Sequence, residues 1–253
     1  SALLASACAA TSLRSSFPQP PAPGQDQCVC TKTTAYDCTL VVKEQGISGP
    51  NGDWPAMNYF VAAAHLDGVY ALAQDAKQVW TVYDYNATCA TDPKCTKPWS
   101  TYAADTGGTF GSGNQPQGMA WDHRSGDVFI STFAATILRV DPATKQFKQI
   151  VSLPTGVAAG MDVHPTDACL YTVNKAYRPT TGGTAVWKFC PPEFNMQSVI
   201  VGNKDFEIPQ DLAFNAQGTM YITQPRGTPQ ADGSNNIGGG GNNVLQIKPV
   251  GSV

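Results

Sequence analysis

The sequence predicts an all-β protein assembled from a repeated four-stranded antiparallel sheet, and three observations carry that prediction. The 253 residues include 24 Gly and 19 Pro but only 14% charged residues. That mixture is rich in turn formers and poor in helix formers. Short apolar strands of the same types recur in the same order four times along the chain. Turn-forming runs such as Asp122 to Gly126 and Asn215 to Gly218 separate them.

Each repeat opens with a short apolar strand: Phe60-Val61-Ala62, Met119-Ala120-Trp121, Met161-Asp162-Val163 and Leu212-Ala213-Phe214. A second strand carries an apolar–aromatic pair: Val69-Tyr70, Val128-Phe129, Leu170-Tyr171 and Met220-Tyr221. The third has three apolar positions and one polar one: Val79-Trp80-Thr81-Val82, Ile137-Leu138-Arg139-Val140, Val186-Trp187-Lys188-Phe189 and Val244-Leu245-Gln246-Ile247. Fourth strands follow at Phe147 to Val151 and Ser198 to Val201. Four antiparallel strands in a repeat of about 40 to 50 residues form the pattern of a propeller blade. Four blades are recognisable; the alternative is part of a six-bladed ring. Thr39 to Val42 is an isolated strand-like run placed to complete the last blade. The organisation expected is therefore a Cys- and Pro-rich extension over 1–38 and a propeller over 39–253. Within the extension, Ser1 to Leu13 resembles the end of a signal peptide, and Ser15 to Gln27 is a Pro-rich linker.

The segments PQGMAWDHRSGDVFIST, AAGMDVHPTDACLYTV and PQDLAFNAQGTMYITQ resemble blades of the NHL, YWTD and gluconolactonase-like propeller superfamily. The resemblance covers about residues 57 to 253 and implies the architecture, which hosts many unrelated functions. It also implies what an enzyme of this kind needs. Lactonases of the group hold a divalent cation with an early Glu, a middle Asn and a late Asp, and oxygen ligands of that type suit calcium. The chain has three Glu, at 44, 193 and 207. Glu44 precedes Gly49 to Trp54, which has the family's Gly, Pro and Trp at a different spacing. Asp162 and Asp211 sit at innermost strands, either facing a channel or bonding backbone amides. No cofactor is expected, with calcium the alternative.

Eight cysteines point to disulfides rather than zinc, because only Cys28 and Cys30 are closely spaced. Leu170–Val173 and Val186–Phe189 as antiparallel neighbours set Cys169 opposite Cys190. Cys89 and Cys95 close a small loop. Cys8, Cys28, Cys30 and Cys38 then pair among themselves in one of three ways. Asn86-Ala87-Thr88 is an N-glycosylation sequon. Disulfides and sequon together predict a secreted or cell-surface protein. A net charge of −3 offers no basic surface for nucleic acid, and no apolar run is long enough for a transmembrane helix.

The expected function is therefore that of a binding or structural module in an extracellular assembly. The alternative is a lactonase-like or strictosidine-synthase-like enzyme. His65, His123 and His164 read as turn residues on one face, and the glycine runs 107–113 and 238–241 as loops. Trp54, Trp99 and Tyr177 are candidates for carbohydrate contact. The long loops Lys175 to Thr184 and Gln224 to Asn243 bring Lys175, Tyr177, Arg178, Arg226 and Asp232 to the face bearing Gln117 and Asp211. Cations beside an aromatic suit an acidic protein or carbohydrate partner.

Overall fold

The computed structural model describes residues 48–49, 52–53, 61–74, 79–92, 94–95, 99–111, 114–177, 183–201, 208–225, 228–229, 235–236 and 242–247. A two-residue ladder comes first, β1 (Ser48–Gly49) with β2 (Gly52–Asp53). Four antiparallel sheets follow. The first is β3 (Val61–His65), β4 (Gly68–Gln74), β5 (Trp80–Asn86) and, after the short helix α1 (Ala87–Thr91), β6 (Trp99–Ala104). The second is β7 (Pro116–Trp121), β8 (Val128–Thr132), β9 (Thr136–Val140) and β10 (Phe147–Ser152). The third is β11 (Ala158–Val163), β12 (Leu170–Asn174), β13 (Thr184–Cys190) and β14 (Asn195–Val201). The fourth has three strands among the described residues: β15 (Asp211–Phe214), β16 (Met220–Pro225) and, beyond the small ladder of β17 (Thr228–Pro229) with β18 (Asn235–Asn236), β19 (Asn242–Ile247). Within each sheet the strands lie in chain order. Thr39 to Val42, expected to complete this last sheet, lies outside the described residues, as does the 1–38 extension.

The sheets pack side by side through their first strands, β3 on β7, β7 on β11 and β11 on β15. This is the all-β propeller arrangement the repeats predict, with four blades. Its core lies between neighbouring blades. Leu72, Val82, Phe110, Val128, Ile130 and Leu138 fill the space between the first and second blades. Phe129, Ile137, Leu170 and Phe189 do so between the second and third, and Val173, Tyr177, Val186 and Ile222 between the third and fourth. Burying each large apolar side chain contributes about 1.5–3 kcal/mol.

The registers align the blades residue by residue. Ala63, Ala120, Asp162 and Ala213 of the first strands face Tyr70, Phe129, Tyr171 and Tyr221 of the second. These in turn face Asp84, Arg139, Lys188 and Gln246 of the third. The first blade corrects the sequence reading. Its third-strand motif is Val82-Tyr83-Asp84-Tyr85, not Val79 to Val82, and its first strand is centred on Ala63 rather than Val61. Buried Trp80 and Val82 imitate the motif three residues early, and the true polar position holds an acid where the other blades have a base or an amide. An alanine-only strand centre leaves no large residue to mark the first strand.

Candidate functional site

Two faces of the propeller differ in construction. One gathers the tight turns that join first to second strands. The other, called here the loop face, gathers the second-to-third-strand connections and the segments that lead into each blade.

On the turn face the residue that ends each first strand accepts hydrogen bonds from the turn after it. His65 Nδ1 accepts from Asp67 N, Asp122 Oδ1 from Arg124 N, His164 Nδ1 from Asp167 N, and Asn215 Oδ1 from Gln217 N and Thr219 N. Gly126 and Gly218 take left-handed φ values of 78° and 79° to close these turns. The expectation that His65, His123 and His164 are turn residues on one face matches this geometry. His65 also pairs with Asp84 at 2.9 Å and stacks on Tyr70, while His164 meets Phe214 of the next blade edge-on at 4.7 Å between centroids. Lys188 bonds Asp167 at 2.8 Å. Against the cost of burial, Lys188, Cys169 N and His164 hold the Asp167 carboxyl below the usual carboxylate range. Both disulfides lie at this end. Cys169–Cys190 has Cα atoms 4.3 Å apart, in the predicted register, and Cys89–Cys95 closes the loop after α1. The remaining four cysteines lie outside the described residues.

The inner strands form the hub. Each is the edge of its sheet, so its outward N–H groups need acceptors from elsewhere. Asp162 supplies two. Its Oδ1 accepts from Val163 N and its Oδ2 from Phe214 N of the next blade, both at 2.8 Å. Asp211 Oδ1 accepts from Leu212 N at 2.9 Å, and Gly160 N donates to Gln210 O at 3.0 Å. Glycines let the hub close: a Cβ on Gly118 would lie 2.7 Å from Ala159 O, and one on Gly160 would overlap the Asp211 carboxylate and Cα. Burial pushes the Asp162 carboxyl up to about 6, against the Phe214 and Val163 N–H groups and His164, which favour its charge. Asp211 is exposed as a residue, but its carboxyl is turned into the hub, and this desolvation pushes it up to about 6 as well. Leu212 N opposes that rise and the charge of Asp162 adds to it. Of the two roles open to these aspartates, the hydrogen bonds are those of backbone acceptors.

On the loop face Lys175 Nζ donates to Gln117 Oε1 at 3.4 Å, joining the third blade to the second. Asn174 frames this corner: Oδ1 accepts from Val157 N and Ala176 N, and Nδ2 donates to Thr184 O, each at 3.1 Å. Tyr177, expected to present its ring to a partner, is 1% exposed and belongs to the core. Trp99 lies against Tyr85 at the edge of the first blade. Arg178, Arg226, Asp232, Trp54 and the 238–241 glycines lie outside the described residues. The sequence reading missed Phe133, which is 56% exposed in the β8–β9 turn of this face. Phe133 N donates to Gln115 O and Ala134 N to Asn114 Oδ1, fixing the turn. An aromatic between two apolar strands reads as core in one dimension; only its place in the three-residue turn between Thr132 and Thr136 marks it as exposed.

Among the described residues no three His, Cys, Asp or Glu converge as metal ligands, and no helix is long and apolar enough to cross a membrane. Glu44 and Glu207 lie outside those residues, and Glu193 is in the exposed β13–β14 turn.

No family model and no curated protein sequence matches the chain. Solved structures do. A chain of a nidogen–laminin complex matches over 68% of this chain, with a TM-score of 0.50 and 14% sequence identity. A chain from YCF48 bound to D1 peptide matches over 66%, with a TM-score of 0.38 and 12% identity. The matches span 58% and 46% of the lengths of those chains. The first likeness supports the fold that the registers show on their own: a β-propeller.

Proposed function

We propose that this chain is a disulfide-bonded propeller of the NHL, YWTD and gluconolactonase-like kind that binds an extracellular protein through its loop face. The observation that carries the reading is the exposed Phe133 ring, held on the same face as the Lys175–Gln117 bridge. An exposed aromatic on the same face as an ammonium and amides is the composition of a protein-contact surface, where aromatic anchors supply the burial and a cation selects an acidic partner. The two disulfides fit an oxidising compartment. The nidogen–laminin neighbour offers a precedent for the fold within a protein complex.

The test is retention of soluble extracellular-matrix proteins on the immobilised full chain, compared with a Phe133→Ala, Lys175→Ala double variant. A protein retained by the wild type and lost by the variant, at unchanged Tm, supports the reading. Equal retention by both overturns the choice of face. Binding to a glycan array that depends on Phe133 would instead make the partner a carbohydrate.

A further inference from the structure

The sequon at the end of β5 is unused by the binding reading, and its geometry is that of a carrier site. Asn86, Ala87 and Thr88 are all exposed. Asn86 is the last residue of β5 and the N-cap of α1, and its Oδ1 accepts from Cys89 N at 2.8 Å. The cap uses the oxygen of the amide. N-glycosylation uses the nitrogen, so sugar and cap are compatible on one side chain.

A second observation points to what a sugar would do there. Asn86 is paired with Gly68, and Ala87 N donates to Asp67 O at 2.8 Å, so the β3–β4 turn lies directly against the sequon. That turn carries Leu66, which at 82% is the most exposed large apolar side chain among the described residues. Among the described residues, this apolar side chain is left open to solvent.

We infer that Asn86 carries an N-linked glycan whose first sugars cover Leu66. The donor class is a lipid-linked oligosaccharide pyrophosphate. Asn86 Nδ2 forms a bond to the anomeric carbon of the reducing-end sugar, the carbon–oxygen bond to pyrophosphate breaks, and the pyrophosphate leaves with that electron pair. One Nδ2 proton passes to base, and nothing is oxidised or reduced. The turn face bearing Asn86 is opposite the loop face, so the glycan leaves Phe133 and Lys175 accessible.

This inference rests on the chain passing through a secretory compartment, and the experiment separates the two. The full chain is expressed in a eukaryotic cell behind a secretory leader, and the peptide spanning Asn86 is mapped before and after amidase removal of N-glycans, with thiols counted in parallel. Expected are a glycan on Asn86, its loss in Thr88→Ala and Asn86→Gln, and its retention in Thr88→Ser. Hydroxyl-radical labelling of Leu66 is expected to rise several-fold when the glycan is removed from the folded protein. A chain with Cys89–Cys95 and Cys169–Cys190 oxidised but no sugar on Asn86 overturns the inference and leaves the extracellular reading standing. Free thiols at all four positions overturn the extracellular reading, while the peptide map still reports on Asn86. Unchanged Leu66 labelling overturns the covering role.

Discussion

Asp162 Oδ2, on the inner strand of the third blade, accepts the backbone N–H of Phe214, on the inner strand of the fourth, at 2.8 Å. The aligned position is alanine in the other three blades. One carboxylate thus ties two sheets together where their ladders do not meet.

Asp162→Ala should therefore weaken the junction although it restores the residue the other blades use. It leaves Phe214 N and Val163 N without this acceptor, a cost of about 1–3 kcal/mol for an unsatisfied buried group. Denaturant unfolding measures it. Asp162→Asn keeps one acceptor oxygen and should lose less; equal losses would show that the hydrogen bonds are not the cause.

The hub carboxylates also set a pH dependence. Both Asp162 and Asp211 are raised to about 6, above the unfolded carboxylate range near 3.9. The folded state therefore holds the protons more tightly, and these groups contribute stability that is present below about pH 4 and lost as pH rises through about 6. Thermal melts from pH 4 to 8 should show that slope. Asp211→Asn should flatten it and raise the Tm at pH 7, because it removes the charge facing Asp162. An unchanged slope would rule the pair out as its source.

Gly160→Ala should be among the most harmful small changes in the chain. The added methyl would overlap both the carboxylate and the Cα of Asp211, and overpacking of this kind costs about 1–3 kcal/mol. Because backbone is involved, a second change of Asp211→Gly should not restore the loss. Gly107→Ala, where a Cβ meets only Thr109 Oγ1 at 3.9 Å, is the control and should be nearly neutral.

Cys169→Ser with Cys190→Ser should lower stability by roughly 2–4 kcal/mol on the loop-entropy account. Peptide mapping without reductant should recover Cys169 joined to Cys190 and Cys89 joined to Cys95. Any cross-pairing between these four would contradict the β12–β13 register.

What the sequence disclosed follows from what repeats. Tyr171 opposite Lys188 and Phe129 opposite Arg139 recur with the same partners, so register, the Cys169–Cys190 pair and the blade architecture are legible without coordinates. The hub is only half legible. Gly118, Gly160 and Asp211 align in the strings PQGM, AAGM and PQDL, yet a string does not show that one residue's side chain occupies the space left by another's missing one. The burial of Tyr177 and the exposure of Phe133 are hidden from the sequence for one reason: exposure is decided by the neighbouring blade, and neighbouring blades are distant in sequence.

Each sheet is built from strands taken in chain order, with few hydrogen bonds crossing to the next. The folding problem is thereby divided into local pieces. A blade can form from some 40 to 50 consecutive residues, and stability becomes a sum of blade terms and nearest-neighbour junctions. Damage at Asp162 is felt first in the third and fourth blades, while the first can stay protected from hydrogen exchange. A chain wired in this way gains or loses a blade by duplication or deletion of one segment, without rewiring the rest.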